Sequence, residues 1–410
     1  MNASQPDTKL DELARNYRDG FSLASGFYKD PSVYTVDLDR VIFRSWTFAG
    51  HISELTCAGA YFLFEIGMES VIVVRQVDGE IRAFGNVCRH RGSRICDSQS
   101  GVVKMFVCPY HVWSYNIDGS LRGMKGESPG SNEKDYRLRP VRLQLVEGLI
   151  FVQINSNGPS FREAAEEVST YLAPYKLSDA KVAHKDVFRV EANWKLCVEN
   201  FFECYHCSNG HPEYARSHVN ASPDGYLTKM LEDQIERRKS LGLAHHSVAK
   251  YGSPLSAGQQ NYRINPWVLK RGYRTGSQNG GQLAPRLGGL EDLYGGYTSL
   301  LIGPTSFFIL YSDYLVCFRF SPKGVNLTDM EVCWLVDESA QEGRNYNVAD
   351  LVWLWTLTTE QDTGLIERNQ KGVNSMMYEP GPYTSTEGLV REFVNWYVGA
   401  IKYSGEPGTT

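Results

Sequence analysis

Two pairs of residues, each a cysteine followed closely by a histidine, carry the strongest chemical signal in the chain. Cys88-Arg-His90 and Cys108-Pro-Tyr-His111 are separated by 17 residues. Two thiolates and two imidazoles grouped in this way can hold a metal, each pair on the tip of its own β-hairpin. Two chemistries fit. Zn²⁺ accepts two Cys and two His, usually as C-x2-C followed by H-x3-5-H. A two-iron two-sulfur cluster can take two cysteines on one iron and two histidines on the other. One Cys and one His from each half suits a cluster with chemically different ends. The ligand types alone do not decide between the two.

A second set lies in NWKLCVENFFECYHCSNGHPEY, where Glu203, His206 and His211 stand out. On a helix, Glu203 and His206 lie about 60° apart and share a face. His206 and His211 are about 140° apart and meet at one ion only if the helix ends between them. Ser208-Asn209-Gly210 supplies a break. Two histidines and one carboxylate on one face leave iron(II) with open positions for O₂. Asp362 is the candidate carboxylate. It continues the largely apolar face Leu351, Leu354, Trp355, Thr358, Leu365, Ile366 of a long late helix. A buried carboxylate needs a cation, and that cation is either a metal or an Arg/Lys partner.

The elements that must position these residues read as α+β. Thr8 to Arg15 forms a short amphipathic helix. Residues 42–155 read as β, with strand-like YFLFEIG and SVIVVRQ, hairpin turns at Asp78-Gly79 and Asp118-Gly119, and a last strand from Leu149 to Ile154. Ser160 with Glu163 opens a helix. Strand residues follow at Val187 to Val190, and a helix from Trp194. Ser253 to Thr298 is rich in Gly, Asn, Gln and Pro and reads as long loops. Strands return at Ser306 to Phe320 and Asp329 to Val336, and a helix covers Val348 to Gly372. An all-β module, 42–155, is thus inserted between 1–41 and 156–410, the two parts of a larger domain.

The formal charge of −5 and the lack of basic runs give no footprint for nucleic acid or an anionic membrane. No apolar run reaches the roughly 18 residues of a membrane span, and the polar N-terminus lacks a secretory-signal layout. A cytoplasmic protein is expected. Nine cysteines, an odd number, argue against a disulfide framework. Cys57, Cys96, Cys197, Cys204, Cys207, Cys317 and Cys333 read as buried thiols.

The loops NVCRHRGSRIC and VCPYHVWSY closely resemble the cluster-binding loops of Rieske non-haem iron oxygenases, with Trp113 matching an aromatic that follows the second histidine. Asn200, Glu203, His206 and His211 fit that family's N-x2-(D/E)-x2-H-x4-H, and QDTGLIERNQKG fits its D-x4-E-x2-Q-x-G. ENFFECYHC and MMYEPGPYTSTEGLVREFVNWY are similar to the glycine betaine/proline betaine demethylase-like branch.

The resemblance implies a Rieske [2Fe–2S] domain held in a helix-grip catalytic domain of antiparallel sheet and helices. Cys88, Cys108, His90 and His111 would bind the cluster, and His206, His211 and Asp362 a mononuclear Fe(II). An NAD(P)H-dependent reductase, with or without a ferredoxin, would supply electrons; the chain has no G-x-G-x-x-G of its own. Glu203 would bridge to His111 of a neighbouring copy, making a homo-oligomer, a trimer, the working unit. Asn200 belongs to the same motif. The reaction would be mono- or dioxygenation of a small organic substrate, an aromatic compound or a quaternary amine, in a pocket that includes Phe201, Phe202, Phe307 and Phe308. The rival readings are a Rieske electron carrier and a zinc-stabilised binding module.

Cys88→Ser is expected to give colourless protein, because a hard alkoxide replaces a cluster thiolate poorly. Absorbance and metal analysis check this. An equally coloured variant, or wild type containing zinc and no sulfide, would favour the zinc reading.

Overall fold

Short runs of alternating or wholly apolar residues build two antiparallel sheets, and the computed structural model describes residues 8–126, 136–219, 226–249 and 260–402. The first ten strands are β1 Thr47–His51, β2 Ala60–Ile66, β3 Glu69–Arg75, β4 Ile81–Gly85, β5 Ser100–Val102, β6 Phe106–Val107, β7 Ser114–Tyr115, β8 Leu121–Gly123, β9 Pro140–Val146 and β10 Leu149–Gln153. Seven of them form a sheet in the order β1-β10-β9-β4-β3-β2-β5, and β6-β7-β8 form a separate small sheet. Asp78-Gly79 joins β3 to β4 and Asp118-Gly119 joins β7 to β8. At Gly119 φ is +81°, and a Cβ there would lie 2.6 Å from the Phe84 ring. Only glycine serves both demands.

Cys108 to His111 sit in the β6–β7 hairpin. The first pair departs from expectation. Cys88 and His90 follow β4, but the chain then crosses to β5 at the far side of β2, so no hairpin carries them. Their loop closes on itself instead, through Cys88 N–H to Ser93 O at 2.8 Å and Gly92 N–H to Cys88 O at 3.0 Å.

The second sheet holds β11 Ala180–Val190, β12 Val248–Ala249, β13 Tyr262–Val268, β14 Gly296–Ile302, β15 Ser306–Leu310, β16 Leu315–Gly324 and β17 Leu327–Asp337, in the order β11-β17-β16-β15-β14-β13-β12. Its helices are α1 Thr8–Arg15, α2 Gly26–Lys29, α3 Pro31–Val36, α4 Arg162–Leu172, α5 Trp194–Phe201, α6 Cys207–Gly210, α7 Pro212–Ser217, α8 Tyr226–Ser240, α9 Val348–Val373 and α10 Gly388–Lys402, with a π-helical turn at Asp37–Ile42. The strand-like run Ser306 to Phe320 is a hairpin that turns at Tyr311–Tyr314. The expected loop region contains β13 and the start of β14, while 253–259 lie outside the described residues. Pro266 is tolerated in β13 because short β12 pairs only with Arg263 and Ile264, leaving Pro266 without a ladder partner on that side among the described residues. Ser160 does not open α4. The helix begins at Arg162, whose N–H the Ser160 hydroxyl accepts at 3.3 Å.

The segment that must present the second ligand set is α5 and the turn after it. Asn193 caps α5, its side chain accepting from Lys195 N–H at 3.1 Å and donating to Tyr28 O and Val325 O at 2.9 and 2.7 Å. From α9, Gln370 accepts the Asn193 N–H at 2.8 Å and Glu367 accepts the Glu191 N–H at 3.1 Å. The Glu and Gln of the late-helix motif therefore lock α9 to the start of α5. Below them, Asp37 and Lys195 form a fully buried ion pair, and Asp37 also accepts from Trp194 Nε1 at 3.0 Å and Tyr397 Oη at 2.6 Å. Burial pushes the Asp37 carboxyl up and the Lys195 ammonium down, and the pairing opposes both shifts.

Asp37→Ala leaves the Lys195 charge buried and unpaired, and is expected to destabilise the fold by about 3–5 kcal/mol. Denaturant unfolding measures this. A loss below about 1 kcal/mol would mean that the pair does not anchor α5 to the N-terminal helices and α10.

Candidate metal centres and active site

At the first centre the thiols face inward and the imidazoles outward. Cys88 and Cys108 are 3 % and 2 % exposed, while His90 is exposed and His111 half-buried. The two imidazole centroids are 4.7 Å apart, and Trp113 stacks on His90 at 4.8 Å. Asn86 pins the Cys88 loop by accepting from Ile95 N–H and Cys96 N–H at 3.1 and 2.9 Å. Val112, a β-branched residue at φ +63°, closes the Cys108 loop under strain. A metal group fits on two observations. His111 Nδ1 is buried without a protein partner. Burial would raise the Cys108 thiol, yet the N–H groups of Tyr110 and His111, the Cys88 thiol and the Ser93 hydroxyl outweigh it and hold it below the usual range. The Tyr115 hydroxyl accepts from Arg89 N–H at 3.0 Å and lies 3.3 Å from Cys88 Sγ, so its own proton points at the sulfur.

The second centre joins elements far apart in sequence. His206 Nε2 lies 3.1 Å from His211 Nε2, and Asp362 Oδ1 lies 3.2 and 2.9 Å from the two nitrogens. The three ligand atoms fit within 4.8 Å of one another, the spacing one ion requires. The far ring nitrogens fix the tautomers. His206 Nδ1 donates to Glu203 Oε1 at 2.5 Å and His211 Nδ1 to Gln361 Oε1 at 2.9 Å, which leaves Nε2 of each ring, facing the same point, as the atom that can take a metal. Gln361 is itself held by Glu213 at 3.1 Å. Burial would raise the Asp362 carboxyl, but His206 and His211 outweigh it and depress it. Burial would lower His206, but Asp362 and Glu203 push it up to about 9.

Three details correct the sequence reading. The α5 helix ends at Phe201, ahead of Glu203, so Glu203 and His206 share a turn and not a helical face. Glu203 Oε2 accepts the backbone N–H of Tyr205, and that of His206 at 3.3 Å, and so nucleates the turn. Cys204 and Cys207 are joined in a disulfide and are not free thiols; the reversal after α5 brings their Cα atoms within 4.9 Å. Cys57 is exposed. Gly210 keeps this turn close to α9, since a Cβ there would meet Leu365 at 3.1 Å.

Two spaces flank the second centre. A cavity of about 480 Å³ is lined by Phe201, Phe202, Phe307 and Phe308, joined by Trp267 and Tyr297, with Glu203 at its edge. A cleft of about 370 Å³ on the other side reaches Glu203 and His206 and is lined by Glu199, Asn200 and Tyr383. The Asn200 Oδ1 is buried without a protein partner. Gln361, Tyr115, Glu199 and Tyr28 escaped the sequence reading. Gln361 neighbours Asp362, and Tyr115 lies two residues past Trp113; the other two have no local signal.

Residues 45–142 match the Rieske [2Fe-2S] domain, and residues 177–402 match the ring hydroxylating alpha subunit (catalytic domain). The chain is 34 % identical over 392 residues to the glycine betaine monooxygenase oxygenase subunit of Pseudomonas aeruginosa (strain UCBPP-PA14), covering 94 % of this chain and 90 % of that one. It is 32 % identical over 222 residues to the carnitine monooxygenase oxygenase subunit of Escherichia coli (strain K12), covering 53 % and 59 %. A solved quaternary ammonium Rieske monooxygenase superposes with TM-score 0.71 at 20 % identity, covering 95 % of this chain and 98 % of that one. A naphthalene 1,2-dioxygenase variant gives 0.69 at 21 % identity, covering 96 % of each. Among the described residues no helix is long and apolar enough to cross a membrane. The chain belongs to the Rieske-type ring-hydroxylating oxygenases, as a terminal oxygenase alpha subunit with a [2Fe–2S] cluster and a mononuclear iron, working with a reductase to put oxygen from O₂ into a small organic molecule by hydroxylation or oxidative N-demethylation.

Proposed function

We propose that this subunit oxidatively N-demethylates a quaternary ammonium compound. The carrying observation is the aromatic cavity beside the His206–His211–Asp362 centre: Tyr205, Tyr214, Trp267, Tyr297 and Phe307 line it, and aromatic rings attract such cations. The similarity to betaine and carnitine monooxygenase subunits supports the same substrate class. Arene hydroxylation is the second reading, favoured by the four phenyl rings of Phe201, Phe202, Phe307 and Phe308 in that cavity. A panel of quaternary amines and arenes, scored by substrate-dependent O₂ uptake and formaldehyde release, separates the two. Uptake with arenes alone would overturn the first.

In this proposal His206, His211 and Asp362 hold the Fe(II), and Cys88 and Cys108 hold one cluster iron while His90 and His111 hold the other. The ferrous ion supplies the position at which O₂ is reduced. Glu203 orients His206 and accepts a hydrogen bond from His111 of a neighbouring copy, so that electrons from the reductase, with or without a ferredoxin, arrive there. The working unit is then a cyclic homotrimer. The aromatic cavity orients the substrate and excludes water, and Gln361 keeps His211 in the ligating tautomer.

His206→Ala is expected to keep cluster absorbance and lose the mononuclear iron and turnover. Glu203→Ala is expected to keep the cluster, lose about 10–100-fold in iron affinity through His206, and, at equal iron content, reoxidise a pre-reduced cluster much more slowly than wild type in a single turnover. Wild-type reoxidation with product formed would remove Glu203 from the route. Light scattering is expected to give a trimer; an active monomer at assay concentration would defeat the inter-subunit route.

A further inference from the structure

Glu199 lies on the last turn of α5, with its carboxylate between the protein core and the cleft that reaches Glu203 and His206. On the core side the Tyr28 hydroxyl donates to it, at 2.9 Å to Oε1 and 3.2 Å to Oε2. The nearest ammonium, Lys195, is engaged by Asp37 and makes no ion pair with Glu199. On the cleft side Tyr383 faces it, near enough for its hydroxyl to help hold the carboxyl down, and Asn200 Oδ1 is buried without a protein partner. A buried polar atom without a protein partner calls for water, and a cleft of about 370 Å³ has room for several. The result is a carboxyl group joined by a wettable polar path to the residue at which electrons are proposed to arrive.

The reaction requires such a group. Oxidation of a C–H bond follows R–H + O₂ + 2 e⁻ + 2 H⁺ → R–OH + H₂O. One C–H and one O–O bond break, the reductase supplies the electrons, and both protons come from solvent. The site already holds the carboxylates of Glu199, Glu203 and Asp362 in a poorly solvated region. Each added electron is costly there unless a proton follows it.

We propose that Glu199 is the proton-holding positioning residue of this oxygenase, passing solvent protons through the cleft to the Glu203–His206 end as each electron arrives. The inference rests on the reading that electrons arrive at Glu203. Burial pushes the Glu199 carboxyl up to about 7, aided by Glu387 and opposed by Tyr28, Lys195 and Tyr383. It therefore both takes and gives a proton near neutrality. The surrounding phenols cannot replace it. Tyr28 and Tyr397 are raised well above 10, Tyr17 to about 12, and Tyr378 is raised as well, so all remain protonated.

Glu199→Gln keeps the shape and still accepts from Tyr28, but cannot carry a proton. In the holoenzyme, cluster reoxidation during a single turnover is expected to slow by about 10²-fold. It should also lose the pH dependence, with a midpoint of about 7, that is expected of the wild type. Glu199→Asp should restore that dependence. Independently of turnover, infrared difference spectra of the wild-type protein are expected to show a carboxyl band titrating at about 7 that the Gln variant lacks. Wild-type rate and pH profile in Glu199→Gln, or an unchanged carboxyl titration, would overturn the inference. Either result leaves the Glu203 reading intact. That reading fails only if Glu203→Ala reoxidises at the wild-type rate, and the infrared titration of Glu199 does not depend on it.

Discussion

Asp362 is a carboxylate on the buried face of a 26-residue helix, 3 % exposed, and it contacts the two imidazoles His206 and His211. A charge in that position must be compensated or it unfolds the helix contact around it. Both imidazoles, however, have their Nδ1 atoms committed as donors to Glu203 and Gln361. With Nδ1 so committed, each ring turns Nε2 toward Asp362 and toward the other ring at 3.1 Å. A cation must lie among these three atoms, either a second proton on His206, which Asp362 and Glu203 favour, or a metal ion that takes that proton's place. The architecture from Asn193 to His211, and the lock of Glu367 and Gln370 at its start, makes sense as the means of holding those three atoms in place for an ion.

The two centres meet opposite requirements with opposite exposure. In the proposed assignment the cluster keeps its thiolates inside and its histidine end at the surface, beside exposed Tyr110 and Val112. Imidazole ligation raises a cluster's potential relative to all-cysteine clusters, and a hydrogen bond from Tyr115 to the Cys88 sulfur acts in the same direction by stabilising the added electron. An outward histidine end is the natural place for an electron to leave. The iron centre is the reverse. Its proposed ligands His211 and Asp362 are buried, and both an aromatic cavity and a polar cleft reach Glu203 beside them.

The residues brought together at both centres were legible because their spacing is local, and because Asp362 interrupts an apolar helical face where nothing but a buried role explains it. The helix ending at Phe201 was not legible. ENFFECYHC contains no Gly or Pro, and what stops the helix is a side chain, Glu203, capturing the N–H groups of Tyr205 and His206. The Cys204–Cys207 disulfide follows from that same reversal and was hidden with it. β13 was masked by composition, since Asn265 and Pro266 argue for a loop until the missing neighbour beyond short β12 is known. Tyr28 and Glu199 are 171 positions apart, and only the tertiary packing of α2 on α5 pairs them.

The orbital count at Glu203 explains how one residue can serve both the iron ligand and a second donor. An ionised carboxylate offers about four lone-pair sites. Oε2 spends two, on the backbone N–H groups of Tyr205 and His206, and these fix the carboxylate as part of the turn. Oε1 spends one on His206 Nδ1. One site on Oε1 remains, on a side chain that also borders the open cleft. An N–H approaching from outside the chain can therefore bond to the oxygen that already holds the iron ligand. It need not displace any contact that shapes the turn, so the loop can stay rigid whether or not a donor is docked.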